Sequence, residues 1–281
     1  MTKTNRSNQE FRPAKRSLGQ NFLVDEKYVR KIIEALDLTE SDTIIEIGPG
    51  RGAITGFLVE SRANVLAVEL DRDLVPRLHE RFARNKNFSV IESDATRVNF
   101  EELLSSIQQS AAQIPYTAKL VANLPYYVST PILQHLSSQR HLFERLVLMF
   151  QKEVVDRITA EPGDSDRGFL TVLVETAFAV DKLFDVPPEA FRPVPKVTSS
   201  VARFKPKASP IEHDEGFREL ISTGFSQKRK TLLNNLKTRY PVAAEALELS
   251  AIDAKRRAES LTLDEWFRLA DELLGSAEAR G

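Results

Sequence analysis

Short apolar runs alternate with helix-like stretches over the first two-thirds of this 281-residue chain, and this alternation constrains the fold more than any other feature. A strand, a helix and a second strand in succession fold as a parallel unit, and repeated units build one sheet with helices on both faces. The predicted strands cover residues 43–47, 64–70, 88–92, 119–123 and 145–150. The sequence therefore predicts an α/β fold with a mainly parallel sheet.

An antiparallel pair is predicted at the edge of this sheet. Two later β-like runs, 177–185 and 198–204, have no clear helix between them, so they are expected to pair with each other. The segment 186–195 contains four prolines and is predicted to be an irregular loop. The helices predicted between the parallel strands and after the last of them are 53–61, 72–84, 101–109, 130–138 and 152–160.

The last third of the chain is predicted to be helical. Residues 205–210 hold two prolines and lack apolar periodicity, which is typical of a linker. Thr262 and Glu265 form a capping-box pattern at the start of the final helix. The predicted helices are 215–225, 228–239, 241–246, 254–260 and 263–274. These patterns divide the chain into a basic flexible tail (1–17), an α/β domain (18–204), the linker (205–210) and a small all-α domain (211–281).

The composition excludes several classes of protein. The chain has no cysteine, which rules out disulfides and thiolate chemistry and is compatible with a cytoplasmic location. Its four histidines are scattered without ligand spacing, so no metal site is predicted. The longest apolar run, 146–150, is too short to span a membrane, and residues 1–20 lack the apolar core of a secretory signal. A cytoplasmic monomer is expected, because no apolar surface stripe is left over.

A glycine-rich turn, Gly48-Pro49-Gly50-Arg51-Gly52, follows the first predicted strand and precedes a helix. Glycines at such a turn accept positive φ and let the backbone approach a ligand closely. Dinucleotide-binding turns follow the spacing G-x-G-x-x-G. The earlier third glycine and the proline here are more typical of S-adenosylmethionine enzymes. Gly48 and Gly50 are therefore predicted to contact a cofactor, and a tight structural turn is the alternative.

Two acidic residues at the next strand ends support a cofactor site. Glu69 ends the second predicted strand, where an acid accepts hydrogen bonds from both ribose hydroxyls of a nucleotide. Asp94 follows the third strand and is predicted to accept from the amine of the cofactor's adenine. Helix capping is the alternative for either acid alone. Because ligands of open α/β sheets bind outside the carboxyl ends of the strands, these features together predict a site for a methyl donor.

The tetrapeptide Asn123-Leu124-Pro125-Tyr126 ends the fourth predicted strand and indicates the methyl acceptor. The exocyclic amine of adenine is a poor nucleophile, because its lone pair is conjugated with the ring. The side-chain oxygen of Asn123 and the backbone carbonyl of Leu124 can accept its two protons and aim the lone pair at a methyl group. Tyr126 is predicted to stack on the base, with Phe191 as the candidate for its other face. Single-stranded or hairpin-loop RNA is the easier substrate. A strand-ending turn is the structural alternative.

Basic clusters are present although the net charge is only −1. Near-neutral charge weakly opposes nucleic-acid binding, but local clusters can still contact phosphates. Residues 1–17 hold five cations against Glu10, and 255–257 form a second cluster. Lys228, Arg229 and Lys230 are predicted to bind RNA, and a solvated helix face is the alternative for any one cluster.

Taken together, these motifs resemble those of the ribosomal RNA adenine N6,N6-dimethyltransferases, and specifically the bacterial small-subunit branch of that family. The resemblance runs from Leu18 to about Leu274 and includes Leu-Gly-Gln-Asn-Phe-Leu at 18–23 and Glu-Ile-Gly-Pro-Gly at 46–50. The other matching segments are 68–71, 123–126 with 129–131, 151–154, 191–197, 225–231 and 257–261.

The resemblance implies a Rossmann-like class I methyltransferase domain with S-adenosyl-L-methionine as cofactor. It adds Asn21 and Leu23 to the cofactor-binding residues and supports Gly48, Glu69, Asp94 and Asn123 in that role. It also implies the product: two methyl groups on each of two adjacent adenines in the 3′-terminal hairpin loop of 16S RNA. The expected partner is the 30S subunit late in its maturation.

Three alternatives stay open at this point. A sister group that methylates an adenine of 23S RNA and confers macrolide resistance typically has Ser at the position of Gly19 and Ile at that of Leu124, and differs at 257–261; these features favour the small-subunit enzyme. The protein could instead act mainly as a ribosome-assembly checkpoint. A nicotinamide dehydrogenase shares the fold, but the glycine spacing and the absence of an obvious proton donor in the target site oppose it.

Overall fold

The computed structural model describes residues 15, 19–107, 117–125, 128–208 and 215–275. The strands are β1 (Phe22–Leu23), β2 (Thr43–Ile47), β3 (Asn64–Glu69), β4 (Phe88–Glu92), β5 (Ala118–Asn123), β6 (Phe143–Gln151), β7 (Phe178–Val186), β8 (Phe191–Arg192) and β9 (Ser199–Pro206).

Helices flank the strands and make up the C-terminal part of the described chain. They are α1 (Glu26–Leu36), α2 (Ala53–Glu60), α3 (Val75–Arg81), α4 (Phe100–Ile107), α5 (Ser129–Ser138), α6 (Lys152–Ile158), α7 (Phe169–Ala177), α8 (Glu215–Gly224), α9 (Leu232–Leu236), α10 (Ala243–Leu249) and α11 (Leu263–Ala270). Shorter helical turns lie at Arg140–Leu142, Pro188–Ala190, Ala258–Ser260 and Asp271–Gly275. None of the described helices is long and apolar enough to cross a lipid bilayer.

A seven-stranded sheet in the order β4-β3-β2-β5-β6-β9-β7 forms the centre of the molecule. Strands β2 to β6 are parallel, and β9 runs antiparallel to both β6 and β7. The predicted α/β fold with an antiparallel pair at one edge is therefore confirmed. The chain passes from β2 outward to β3 and β4 and then returns to β5, so the strand order reverses between β2 and β5. Such a switch point opens a crevice at the carboxyl ends of the strands.

Alternating side chains of the strands form a core on each face of the sheet. Ile44 of β2 packs in a cluster with residues of α1, α2 and α3, whereas Ile45 and Ile47 pack in a second cluster with α4, α5, α6 and α7. Because successive residues of a strand point to opposite faces, a strand covered on both sides has an almost continuous apolar sequence. This explains why the central strands are easily recognised in the sequence.

The C-terminal helices extend the second of these clusters. Phe217 of α8 and Trp266 of α11 are buried with the apolar side chains of α7. The capping box predicted for α11 is present, because Thr262 Oγ1 accepts from the amide of Glu265 and Glu265 Oε2 accepts from the amide of Thr262. Strand β9 continues to Pro206. The division of the chain into domains at 205–210 stays a prediction.

Several predicted elements differ from the structure. The helix predicted at 228–239 begins only at Leu232, because residues 226–230 are exposed in turns with no apolar side chain to anchor a helix. The helix predicted at 254–260 is reduced to the short turn Ala258–Ser260. The segment 186–195, predicted to be irregular, contains β8, which pairs with β1. Its prolines lie on either side of Phe191 and Arg192. Because neither of these two residues is a proline, both keep the backbone N–H that pairing with β1 requires.

Candidate active site

One open pocket lies at the carboxyl edge of the parallel strands. Its wall brings together all the described residues that the sequence predicts for cofactor binding and catalysis. They are Asn21, Leu23, Gly48, Gly50, Glu69, Asp94, Asn123, Leu124 and Phe191. Tyr126 lies outside the described residues, so its predicted stacking role stays a prediction. The predicted cluster at Lys228, Arg229 and Lys230 does not line the pocket but is exposed in the turn before α9.

The glycine turn has the backbone that its residues permit. Gly48 and Gly50 have φ values of 67° and 57°, a region that side chains with a Cβ rarely occupy. A Cβ at Gly50 would lie 2.9 Å from the Cδ1 atom of Phe22, so the β1 segment packs directly onto this turn. The sequence predicted the turn, but Gln20 and Phe22, on either side of Asn21, line the pocket without having been predicted to do so.

Glu69, the last residue of β3, holds two neighbouring loops. Its Oε2 atom accepts a hydrogen bond from the amide of Gly50 at 3.0 Å, and its Oε1 atom accepts from the amide of Asp71 at 2.8 Å. Burial raises the pKa of this carboxyl group, although both amides favour its ionised form. Each carboxylate oxygen has a second lone pair. Glu69 can therefore shape the glycine turn and still accept from a ligand hydroxyl.

Glu46 is a further carboxyl group in the pocket wall, and the sequence motif alone did not assign it a role. It lies in β2, is almost completely buried and accepts a hydrogen bond from Thr55 Oγ1 at 2.6 Å. The pKa of Glu46 is raised to about 8, mainly by burial; the Thr55 hydrogen bond opposes this shift and the negative charge of Glu69 adds to it. Glu46 therefore binds its proton over a pH range in which an exposed glutamate is ionised.

Glu46→Gln is expected to stabilise the protein increasingly as the pH rises. Between its ordinary pKa of 4.5 and about 8, Glu46 holds a proton in the folded state but not in the unfolded state, so the wild type loses stability as pH increases. The loss is at most about 1.4 kcal/mol per pH unit, and Gln lacks it while keeping an oxygen for Thr55. The difference in unfolding free energy between the two proteins should widen from about pH 5 to about pH 8. A constant difference would contradict the raised pKa.

Asp94 keeps one oxygen for a ligand. Its Oδ1 atom accepts from the amide and the hydroxyl of Thr96 at 2.9 Å and 2.7 Å, which closes a local turn and caps no helix, since the next helix begins only at Phe100. Burial alone would raise its pKa, but these hydrogen bonds outweigh burial and lower the pKa below the ordinary value. The group is therefore ionised. Its Oδ2 atom has Arg97 Nε 3.8 Å away as an ion-pair partner and can still accept from a ligand in the pocket that the residue lines. Closing this turn and binding a cofactor are compatible roles for Asp94.

The amide of Asn123, the last residue of β5, is oriented by the N-terminal segment. Its Nδ2 atom donates to the backbone oxygen of Asn21 at 3.2 Å. The same bond leaves Oδ1 as the end of the amide that can accept from a target amine. Leu124 follows directly, with its side chain buried and its amide bonded to Met149 O at 3.3 Å. Asn123 and Leu124 are thus adjacent in the pocket wall, and their contacts with an adenine amine stay predictions.

Phe191 and Leu70 form apolar parts of the wall. Phe191 pairs with Leu23 across β1 and β8 and is only 1% exposed. A stacking role for its ring requires the covering residues to move when a base enters, and it stays a prediction. Leu70 is 48% exposed beside Glu69. Leu70 lines the pocket, and the sequence did not single it out.

The described residues contain no group of three or more histidine, aspartate or glutamate side chains arranged to hold a metal ion.

Comparison with known proteins agrees with this geometry. The family model described as "Ribosomal RNA adenine dimethylase" matches residues 12–274. Ribosomal RNA small subunit methyltransferase A of Saccharophagus degradans is 41% identical over 265 residues, covering 92% of this chain and 94% of that protein. The protein of the same name from Clostridium botulinum (strain Okra) is 40% identical over 262 residues, covering 91% and 92%.

Two solved structures share the fold. A dimethyladenosine transferase from Plasmodium falciparum is 26% identical with a TM-score of 0.75, covering 91% of this chain and 98% of that one. The 23S rRNA methyltransferase ErmE is 23% identical with a TM-score of 0.66, covering 90% and 99%, and at this identity it shows the fold alone. A glycine turn beside strand-end acids, an oriented asparagine amide and a family match over nearly the whole length lead to one conclusion: this chain belongs to the ribosomal RNA adenine dimethylase family.

Proposed function

We propose that this protein transfers four methyl groups from S-adenosyl-L-methionine to the N6 amines of two adjacent adenines in the 3′-terminal hairpin loop of 16S RNA. The reaction takes place on the 30S subunit in the cytoplasm, late in small-subunit biogenesis, and the enzyme acts as a monomer. The bacterial relatives, at about two-fifths identity over most of both chains, are small-subunit methyltransferases by name. The observation that carries the chemistry is the Asn123 amide, whose oxygen is left to accept from an amine.

The pocket fits a nucleoside-type methyl donor. The backbone at Gly48 and Gly50 takes positive φ and presents no side chain to a ligand. Glu69 offers carboxylate lone pairs for ribose hydroxyls, and Asp94 Oδ2 offers one for an adenine amine. When bound, S-adenosyl-L-methionine supplies a methyl group that is activated by a sulfonium charge. Asn21 and Leu23 close the pocket from the N-terminal side.

The residues of the chain act on the target base by placement. Asn123 Oδ1 and the carbonyl of Leu124 accept from the two amine protons, which favours a pyramidal nitrogen and directs its lone pair into the pocket. A buried hydrogen-bond acceptor that is already oriented costs no reorganisation during the reaction. Transfer to an amine held in this way needs no strong base, so positioning is the main contribution of the protein.

A test of the proposed site is to map the modified nucleotides. Small subunits from a strain that lacks this modification are incubated with the protein and S-adenosyl-L-methionine, and their 16S RNA is copied by reverse transcriptase, which stops at N6,N6-dimethyladenine. Paired stops at the two adjacent hairpin adenines are expected. Stops elsewhere in 16S RNA would keep the reaction and overturn the proposed site.

The structure brings two basic clusters together in the C-terminal region. The amide of Leu232 donates to the carbonyl of Arg256 at 2.7 Å, so the turn with Lys228, Arg229 and Lys230 lies beside the turn with Lys255. All four of these cations are exposed. Arg256 is engaged instead with Glu265 through two hydrogen bonds. We propose that the exposed cations of the two turns bind RNA phosphates while Arg256 supports the turn.

Neutralising Lys228, Arg229 and Lys230 together by Gln is expected to weaken binding to small subunits and to flatten its dependence on salt. Each lost phosphate contact should lower the slope of log affinity against log salt by slightly less than one. A matched control neutralises Arg62, Arg84 and Lys86, which are exposed at the amino-terminal edge of the sheet, away from the pocket. A filter-binding titration over several salt concentrations measures both. If the salt slope is the same for the two triple variants, Lys228, Arg229 and Lys230 do not contact RNA phosphates and are only a solvated surface.

A further inference from the structure

Asp71 lies two residues after the end of β3, and its buried carboxylate binds the N-terminal segment. Its Oδ2 atom accepts from Gln20 Nε2 at 2.9 Å, and its Oδ1 atom accepts from Lys15 Nζ at 2.5 Å. A third hydrogen bond, from the amide of Asp73 at 3.0 Å, is local and belongs to the turn before α3. A buried carboxylate is stable only where such donors satisfy it, so the segment and the carboxylate hold each other in place.

Gln20 is fixed at both ends of its amide. Its Nε2 atom donates to Asp71, and its Oε1 atom accepts from the backbone amide of Lys15 at 2.9 Å. The ion pair of Lys15 with Asp71 is half-exposed on the lysine side and is shared with Asp73 at 2.8 Å. Gln20 is the contact of Asp71 that lies next to the pocket in the chain, because it directly precedes Asn21.

The residues that follow Gln20 contact the reactive part of the pocket. The carbonyl of Asn21 accepts from Asn123 Nδ2 at 3.2 Å, and the side chain of Asn21 donates back to the carbonyl of Gly19 at 3.2 Å. Phe22 packs against Gly50, and the guanidinium of Arg51 lies 4.4 Å from the centre of its ring. The segment 19–23 thus joins the loop after β3 to the amide at the end of β5.

We propose that Asp71 is a positioning residue for methyl transfer. Its carboxylate holds Gln20, and this places the neighbouring carbonyl of Asn21 where it fixes the amide of Asn123. Without that carbonyl the amide can rotate and present its NH₂ group, a donor, to an amine that also donates. Asp71 does not itself line the pocket, and its carboxylate reaches the pocket wall through Gln20. The inference rests on the proposed function, because the rate that it predicts is that of adenine methylation.

The test compares Asp71→Ala with Asp73→Ala, because Asp73 lies in the same turn and pairs with the same lysine but does not contact Gln20. Single-turnover methylation of small subunits is measured with saturating S-adenosyl-L-methionine. Asp71→Ala is expected to lower the rate about 10- to 100-fold, the effect of a misplaced reacting group, with little change in the subunit concentration needed for half-maximal rate. Asp73→Ala should stay close to the wild type.

Two further variants separate positioning from folding. Asp71→Asn keeps an oxygen for Gln20 and should recover most of the rate, whereas Gln20→Ala should reproduce the loss. Hydrogen exchange at the backbone amides of residues 20–23, measured without RNA, should be faster in Asp71→Ala and unchanged in Asp73→Ala.

The outcomes are distinguishable. A wild-type rate in Asp71→Ala, or a loss of thermal stability with no loss of rate, would overturn the proposal and leave Asp71 as a cap of the α3 turn. Equal losses in both aspartate variants would assign the effect to Lys15 instead. If the wild type methylates no RNA, the failure lies in the proposed function, and hydrogen exchange still decides whether Asp71 holds the segment.

Discussion

Asn123→Ala is expected to lower the single-turnover rate of methyl transfer by a factor of about 100 or more, the usual cost of removing one preorganised hydrogen-bonding group from an active site. The substitution removes the oxygen that receives an amine proton and also frees the carbonyl of Asn21. Binding of S-adenosylhomocysteine, measured by calorimetry, should fall only in part, because Glu69 and Asp94 remain. Rate and affinity are therefore expected to separate.

Asn87→Ala is the matched control for this experiment. Asn87 also uses its side-chain amide to bind backbone carbonyls, those of Val59 and Ala63, but it lies before β4 at the opposite edge of the sheet. Its replacement should lower thermal stability and leave the rate of methyl transfer unchanged. Turnover like that of the wild type in Asn123→Ala would remove the asparagine from the chemistry.

The second large effect is expected for Glu69→Ala, which should weaken cofactor binding about 10- to 100-fold. The change leaves the buried amides of Gly50 and Asp71 without their acceptor, and a lost hydrogen bond to a charged group costs about 1.5–3 kcal/mol. It also removes the proposed acceptor for the ribose hydroxyls. Equilibrium titration with S-adenosyl-L-methionine measures the affinity.

Glu92→Ala controls for the loss of a strand-end acid. Glu92 ends β4 directly opposite Glu69 in the parallel register, is exposed and does not line the pocket. Its replacement should leave cofactor affinity unchanged. If Glu69→Ala also binds the cofactor like the wild type while folding normally, the carboxylate has no contact with the ribose.

The central sheet was predictable because its signals are local. Strands β2 and β4 have the bounds that the sequence predicts, Thr43–Ile47 and Phe88–Glu92. A strand buried on both faces must be apolar throughout, and glycine or polar residues end it. Once the strands are parallel, their carboxyl ends meet, so Glu69, Asp94 and Asn123 can be placed near one another without coordinates.

Other elements depend on contacts that a linear pattern does not contain. Helix α7 is buried almost all round, so its sequence lacks the periodicity of a surface helix. Strand β1 is only two residues long and exists because it pairs with β8. Helix α1 is different, because its signals are local: Asp25 caps it, and its buried residues repeat on one face, at Val29, Ile32 and Leu36. It was not among the predicted helices, because the strand–helix alternation begins only after it.

The site likewise has a part that is predictable from local sequence and a part that depends on long-range contacts. The sequence predicts which residues line the pocket, but not which of their atoms already form hydrogen bonds within the protein. Two hydrogen bonds join segments that are far apart in the chain: Gln20 donates to Asp71, and Asn123 donates to the carbonyl of Asn21. No spacing of residues in the sequence predicts either of them. The burial of Phe191 likewise follows from its pairing with Leu23, whereas the sequence indicates only an aromatic residue in a proline-rich segment.

The most direct measurement of the central claim follows a labelled methyl group. The protein is incubated with methyl-labelled S-adenosyl-L-methionine and small subunits from a strain that lacks the modification, with large subunits and naked RNA in parallel. The labelled nucleosides are then identified. N6,N6-dimethyladenosine confined to small-subunit RNA is the predicted result. Label only in large-subunit RNA, or none despite cofactor binding, would contradict the proposed function.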